Sequence, residues 1–164
     1  MPLKPGQVLR ERYRIEALLA SGGAGAVYRA WDQYLNMPAV VKENLIDSPE
    51  GRRQFNREAM LLANLQHPNL PRVKDHFFLS DQEQYLVMSY VDGEDLKARV
   101  GREGPLPPEE ALALIGPVLD ALDYLHRHNV VHRDVKLTNI KVTPQGQVFL
   151  VDFGLTKAHH AADD

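Results

Sequence analysis

An acid, a lysine, an amide and a second acid lie in one turn-rich stretch late in the chain. Asp134, Lys136 and Asn139 fall within residues 132–139, and Asp152 follows a short distance later. Carboxylate and amide oxygens suit a hard cation such as Mg²⁺. A further carboxylate can receive the proton of a hydroxyl, and an ammonium can neutralise a phosphate. The set therefore predicts a site that holds the metal ions of a nucleotide and presents a hydroxyl to its terminal phosphate.

A glycine-rich turn lies near the beginning of the chain. Residues 20–25 read Ala-Ser-Gly-Gly-Ala-Gly and separate two predicted strands, 13–19 and 26–31, which makes a hairpin. Phosphates need backbone N–H donors at close range, and side chains at the turn would block that approach. Taken alone, the turn is as consistent with a flexible hairpin as with a phosphate cradle.

Two opposite charges occupy positions where a charge is costly without a partner. Lys42 lies in the short β-branched strand 39–42, and a charge on the inner face of a strand needs compensation. Helix-start residues predict a helix over 47–65, on which Glu58 lies three positions after Phe55, at the edge of the apolar face. Each residue alone is of a type found mostly on surfaces. Together they suggest an ion pair between strand and helix.

The remaining patterns predict the rest of the architecture. Strands 73–79 and 84–90 complete a five-stranded antiparallel sheet with one helix, and the composition shifts after Asp92-Gly93. A long helix begins near 107–110, and two short strands, 140–142 and 148–151, follow the catalytic-type loop. Leucines and an isoleucine form one amphipathic stripe on that helix: Leu112, Ile115, Leu119, Leu122 and Leu125.

Composition excludes several classes of protein. A net charge of −3 without a basic stripe argues against nucleic acid as the main partner. The chain has no cysteine, so disulfides and thiolate metal sites are excluded, which fits a reducing, cytoplasmic compartment. Its apolar runs are too short to cross a bilayer, although a longer parent protein could still be tethered to a membrane. His126 and His128, two apart on a helix, do not share a face for metal binding.

Taken in order, these motifs resemble those of eukaryotic-like (Hanks-type) serine/threonine protein kinases. The resemblance runs from about residue 9 to 157 and implies an α+β, two-lobed kinase fold. It implies a complete N-lobe, residues 1–91, and a partial helical C-lobe, residues 92–164, because the chain stops ten residues after Gly154. The implied activity is transfer of the γ-phosphate of ATP, with Mg²⁺, to a serine or threonine hydroxyl of a protein. Lys136, two after Asp134, is typical of the serine/threonine type.

The resemblance also assigns roles to residues. Asp134 would accept or orient the proton of the acceptor hydroxyl, and Lys136 would neutralise the transferring phosphoryl group. Lys42, held by Glu58, would orient the α- and β-phosphates. The implied Mg²⁺ ligands are Asn139 and Asp152.

Nucleotide contacts follow from the same resemblance. The first loop glycine is replaced by Ala20, and Lys141 stands where an apolar residue is usual beneath the base. Met88 would be the gatekeeper while also packing in the core. Asp95 would contact the ribose, although a solvated acid at the start of a helix would give the same sequence pattern. The full set comprises Leu19, Ala20, Ser21, Gly22, Gly23, Ala24, Gly25, Val27, Val40, Lys42, Met88, Ser89, Tyr90, Val91, Asp95 and Lys141.

Two other functions stay open at this stage. The chain could be a nucleotide-binding module without turnover, or an interaction fragment that docks a partner on the exposed helix face around Leu112, Leu119 and Leu122. We expect the 164 residues by themselves to bind Mg·ATP at best, with phosphate transfer only when the rest of the C-lobe is restored.

Overall fold

A six-stranded antiparallel sheet dominates the first of two units in the computed structural model, which describes residues 2–151. This unit comprises residues 2–64 and 72–90, and the second comprises 65–71 and 91–151. The strand order across the sheet is β1-β2-β3-β4-β6-β5. Its elements are β1 (Val8–Leu9), β2 (Tyr13–Gly22), β3 (Gly25–Asp32), β4 (Met37–Asn44), α1 (Pro49–Ala63), β5 (Val73–Ser80) and β6 (Glu83–Ser89).

The expected hairpins and helix are present, with one strand more than predicted. Ser48 caps α1 by accepting from Gly51 N at 3.0 Å, and Pro49 follows in the first turn, as the sequence indicated. The prediction of five strands was wrong by one, because β1 pairs with the start of β2. A strand of two residues is too short to show a period-2 pattern, so β1 could not be predicted from the sequence.

One face of the sheet buries an aromatic core. Tyr13 stacks on Phe77, and Phe77 packs against Tyr85, with ring centroids 5.8 and 5.4 Å apart. On the same side Tyr28 donates to Glu43 Oε2 at 2.7 Å, and burial raises the pKa of the Glu43 carboxyl. The buried polar groups of Tyr28 and Glu43 on this face are therefore hydrogen-bonded to each other.

A bidentate ion pair anchors the start of β2 to the end of β3. Arg12 donates from Nε and Nη2 to the two carboxylate oxygens of Asp32 at 2.9 and 2.8 Å, and Asp32 is fully buried. Asp32 Oδ1 also accepts from the backbone of Tyr34 and Leu35, so it shapes the following turn. The hydrogen bond from Arg12 is the main cause that lowers the pKa of Asp32 below its usual range.

The second unit contains two helices and a small sheet. Its strand order is β7-β8-β9, and a Cβ at Gly93 would collide with the carbonyl of Val142, so the chain entering β7 needs glycine to lie against β8. The strand β7 was not predicted, since two polar residues carry no strand pattern. The elements are β7 (Glu94–Asp95), α2 (Leu96–Glu103), α3 (Pro108–Arg127), a 3₁₀ turn (Leu137–Asn139), β8 (Ile140–Val142) and β9 (Val148–Leu150).

The buried face of α3 shares Leu125 with the predicted stripe, and the expected exposure of Leu112 and Leu119 is confirmed. Leu112 is 73% exposed and Leu119 58% exposed. The buried residues are Leu114, Val118, Ala121 and Leu125. These positions also recur at helical spacing, so the helix is apolar on more than one side and its pattern alone could not select the core face. Of the helices within residues 2–151, none combines the length and apolarity needed to cross a membrane.

We expect Asp32→Asn to destabilise the first unit by about 3 kcal/mol at neutral pH, because it removes a buried charge from its guanidinium partner. The folded pKa of Asp32 is lowered, so this contribution is present above its unfolded pKa and is lost as pH falls through the folded value. Denaturant unfolding of both proteins from pH 7 to pH 2 should show two curves that converge in acid. The control is Asp47→Asn, which breaks the more exposed Arg52–Asp47 pair and should change little. A pH-independent difference for Asp32→Asn would contradict this assignment.

Candidate active site

The glycine-rich segment forms the tip of the β2–β3 hairpin. Gly22 pairs with Gly25, so Gly23 and Ala24 are the two turn residues. Leu45 N donates to Ala24 O at 3.2 Å and ties the tip to the chain leaving β4. A Cβ built at Gly22 or Gly23 meets no atom of the described chain within 4 Å. The backbone at this tip is therefore open to a ligand, as a phosphate cradle requires.

Four predicted nucleotide contacts share one face of the sheet. The register pairs Val27 with Lys42 and Val40 with Met88 across β3, β4 and β6. Lys42 is 6% exposed and Met88 is buried, whereas Val27 and Val40 are half-buried. Leu19, Ala20 and Ser21 lie in the last part of β2, and all are exposed. The structure thus places the buried Lys42 on the same sheet face as the partly exposed apolar side chains of Val27 and Val40.

Glu58 lies on α1 and is hydrogen-bonded along the helix. Gln54 Nε2 donates to Glu58 Oε1 at 2.6 Å, one turn earlier on the same helix. Phe55, Ala59 and Leu62 form the buried face, and Glu58 is half-buried at its edge, as the spacing from Phe55 indicated. Sequence reasoning missed Gln54, although its i, i+4 spacing to an acid is a recognisable signal. The predicted pairing of Glu58 with Lys42 stays a prediction.

Three further predicted nucleotide contacts, Ser89, Tyr90 and Val91, are each held within their own unit. In the first unit, Ser89 exchanges two hydrogen bonds with Arg72: its N donates to Arg72 O, and its Oγ accepts from Arg72 N, both at 2.8 Å. The Arg29 guanidinium lies 5.1 Å from the centre of the Tyr90 ring. Val91 belongs to the second unit and is buried.

Asp95 and Lys141 are neighbours in the small sheet of the second unit. They are cross-strand partners in β7 and β8. Asp95 Oδ1 accepts from Ala98 N at 2.9 Å and caps α2, which is the structural alternative weighed for this acid. The role of Asp95 toward ribose stays a prediction, as does that of Lys141 beneath the base.

His132 fixes the start of the loop that carries the predicted catalytic acid. It is 1% exposed, and its Nε2 lies 2.9 Å from Val151 O while its Nδ1 accepts from Asp134 N at 3.2 Å. Both bonds can form only in the neutral tautomer with hydrogen on Nε2. Arg133 between them has a positive φ of 66°, which marks the sharp turn at this point. His132 therefore packs beneath this loop and holds its backbone.

Asn139 closes the loop onto Asp134. Its Nδ2 donates to Asp134 O at 2.8 Å and to Asp134 Oδ2 at 3.1 Å, and Asn139 is 5% exposed. Lys136 Nζ lies 3.3 Å from the same Oδ2. Val151 N donates to Asn139 O at 2.8 Å, which joins this cluster to the end of β9. Asn139 and Lys136 thus both contact the carboxylate of Asp134, which brings together the three residues predicted for catalysis and metal binding in this loop.

The orientation of Asn139 fits a magnesium ligand. Its nitrogen faces Asp134, which leaves the amide oxygen Oδ1 as the atom for a cation that prefers oxygen. The second predicted ligand, Asp152, lies outside the described residues, as do Phe153 and Gly154.

Comparison with known proteins identifies a family. Residues 13–164 match the protein kinase domain. A probable serine/threonine-protein kinase PknB of Lactococcus lactis is 36% identical over 157 residues, covering 93% of this chain and 25% of that protein. Serine/threonine-protein kinase PknA of Mycobacterium tuberculosis is 38% identical over 169 residues, covering 99% of this chain and 39% of that protein. The chain therefore spans well under half the length of these relatives.

A solved structure agrees with this result. The crystal structure of the Mycobacterium tuberculosis PknI kinase domain, C20A mutant, matches with a TM-score of 0.77 at 31% identity, covering 96% of this chain and 64% of that chain. Both the predicted α+β kinase fold and the resemblance to serine/threonine kinases are confirmed. The chain belongs to the protein kinase family, of which it carries a fragment of the catalytic domain.

Proposed function

We propose that the protein containing this chain is an ATP- and Mg²⁺-dependent serine/threonine protein kinase. The observation that carries the proposal is the cluster in which Asn139 Nδ2 and Lys136 Nζ both meet Asp134 Oδ2. Family membership supports ATP and Mg²⁺ in general, and the relatives are named serine/threonine kinases. The protein substrate is one that offers a serine or threonine hydroxyl.

Asp134 acts on the acceptor hydroxyl. A hydrogen bond from Asn139 Nδ2 and the charge of Lys136 hold its carboxylate in one orientation. The hydroxyl oxygen would form the new P–O bond as the bond to ADP breaks, and its proton would pass toward Asp134. Lys136, 56% exposed at its side chain, can move to balance charge on the transferring phosphoryl group.

The other residues bind and orient. Lys42 would pair with the α- and β-phosphates, and the open backbone at Gly22 and Gly23 would donate to them. Asn139 Oδ1 and Asp152 would hold Mg²⁺, which supplies positive charge to the phosphate oxygens. Phosphoryl transfer depends mainly on placement and charge neutralisation, so this sparse set suffices.

Mg·ATP should stabilise the folded 164-residue chain. When free Mg·ATP is at a hundred times its Kd, the free energy of unfolding should rise by about 2.7 kcal/mol. This should be seen as a rise in Tm that requires both Mg²⁺ and ATP. Lys42→Met should remove most of this rise, because it deletes the phosphate-binding ammonium while keeping an apolar stem of similar length. An unchanged Tm for a folded wild-type chain would argue against nucleotide binding.

Turnover is tested in the intact protein with a basic protein as acceptor. Asp134→Asn should lower the rate of phosphate incorporation about 10²–10⁴-fold, the range for loss of a general base. Asp120→Asn, an exposed acid on α3, is the matched control and should keep the wild-type rate. Equal rates for wild type and Asp134→Asn would refute catalysis by this loop. Mg·ATP binding without any transfer would favour a nucleotide-binding module.

Asn139→Ala should weaken the second unit even without magnesium. The substitution removes both side-chain hydrogen bonds to Asp134 and costs about 1–3 kcal/mol. Hydrogen exchange without nucleotide should show faster exchange at the amides of residues 134 and 151. Unchanged protection there would show that Asn139 does not hold the loop.

A further inference from the structure

Two buried amide side chains lie at the junction of α1, β4 and β6. Asn44 is 4% exposed and Gln84 is 3% exposed. The β4–β6 register pairs Lys42 with Leu86 and Glu43 with Tyr85, and its continuation sets Asn44 opposite Gln84. Because side chains alternate along a strand, Asn44 and Lys42 lie on the same face.

The amides form a directed chain of hydrogen bonds that ends on α1. Asn44 Nδ2 donates to Gln84 Oε1 at 2.8 Å, and Gln84 Nε2 donates to Arg52 O at 3.2 Å. Asn44 Oδ1 accepts from Ile46 N at 3.1 Å, at the start of the connection to the helix. Each amide thus uses both a donor and an acceptor, which is what burial of such groups requires.

This chain joins the two elements that carry Lys42 and Glu58. Asn44 is two residues after Lys42 on β4, and Arg52 lies six residues before Glu58, roughly 9 Å along a helix. The apolar anchor of α1, Phe55 against His76 with ring centroids 6.0 Å apart, has no strict direction. A hydrogen bond to a helix carbonyl does have direction, so it can fix how far the helix slides and turns over the sheet.

Close packing at the same junction also restricts movement of the start of α1. Gly51, in the first turn of α1, has no room for a Cβ because Ile46 Cγ2 occupies that space. The helix start is therefore seated against the chain leaving β4 both by packing and by the amides.

We propose that Asn44 and Gln84 are positioning residues of the phosphotransfer site: their amide pair sets the register of α1 over β4, and so the place of Glu58 relative to Lys42. The catalytic part of this inference rests on the function proposed above. Neither amide touches the reacting groups, since both act through the helix.

The decisive variants separate positioning from simple stability. Gln84→Met leaves the Asn44 amide buried without its acceptor and should lower Tm by about 4–8 °C. The double variant, Asn44→Leu with Gln84→Met, replaces the amide pair by an apolar contact and should recover most of the lost Tm. Ile46 N then loses its acceptor Asn44 Oδ1, but Ile46 is only half-buried, so water can replace that acceptor. If the amides only stabilise the fold, the double variant should recover function together with Tm.

A distance measurement without nucleotide tests the register directly. The chain has no cysteine, so Arg57→Cys on α1 and Arg14→Cys on β2, both exposed, give one unique pair of spin labels. We expect a narrow distance distribution in the labelled wild type, and a shifted or broadened one in the double amide variant, at a temperature where both are folded by circular dichroism. An unchanged distribution would overturn the proposal, whatever the stabilities.

The matched control is Tyr28→Phe. It removes a buried hydrogen bond to Glu43 on the opposite face of the same sheet, so it weakens the unit without touching the junction. Its label distances and phosphate-transfer rate should equal those of the wild type. If Tyr28→Phe broadened the distribution as much as the amide variants, the effect would be general loosening and the proposal would fail.

The kinetic measurement is the split between kcat and KM in the intact protein. The double amide variant should lose about 10–100-fold in kcat, the scale set by small misplacement of reacting groups, with KM for ATP changed less than about threefold. A wild-type rate in that variant would overturn the catalytic role. If the wild type itself transferred no phosphate, the proposed function would fail, while the spin-label distances would still decide whether the amides position the helix.

Discussion

The hydrogen bonds from Asn139 to Asp134 are the constraint on which the candidate site depends. One amide nitrogen meets both the main chain and the carboxylate of residue 134, and the carbonyl of Asn139 accepts from Val151. His132 closes the opposite side through the same Val151. The loop gains a fixed shape because its buried polar side chains, His132 and Asn139, are hydrogen-bonded to its backbone and to Val151.

Buried polar side chains in the first unit are likewise hydrogen-bonded to one another. The end of β4 buries three polar side chains in succession, so each face of the strand must supply partners. Glu43 meets Tyr28 on the aromatic face, and Asn44 meets Gln84 on the face toward α1. Lys42 directly precedes these two hydrogen-bonded residues on the same strand, which limits how far its backbone can move. The ammonium proposed above to bind phosphate is thereby held in a largely apolar sheet.

Local signals in the sequence predicted much of this arrangement and missed what depends on tertiary contacts. Glycines at the hairpin and the Ser48-Pro49 start of α1 are local, and both elements formed where expected. The stripe on α3 did not identify the buried face, with which it shares Leu125, because the helix is apolar on more than one side. Gln84 lies close to a polar turn, so nothing along the chain distinguishes it from a solvent-exposed glutamine. Its structural role arises because it lies opposite Asn44 on the neighbouring strand and bonds to it.

The most direct test of the site is a titration of the isotope-labelled protein with ATP and Mn²⁺ in place of Mg²⁺, followed by NMR. Mn²⁺ broadens amide signals near it. We expect selective loss of signal at Asp134 and Asn139, reversed by excess Mg²⁺. Broadening that spared residues 134 and 139, or no ATP-dependent broadening at all, would contradict the assignment of this loop to a metal–nucleotide site.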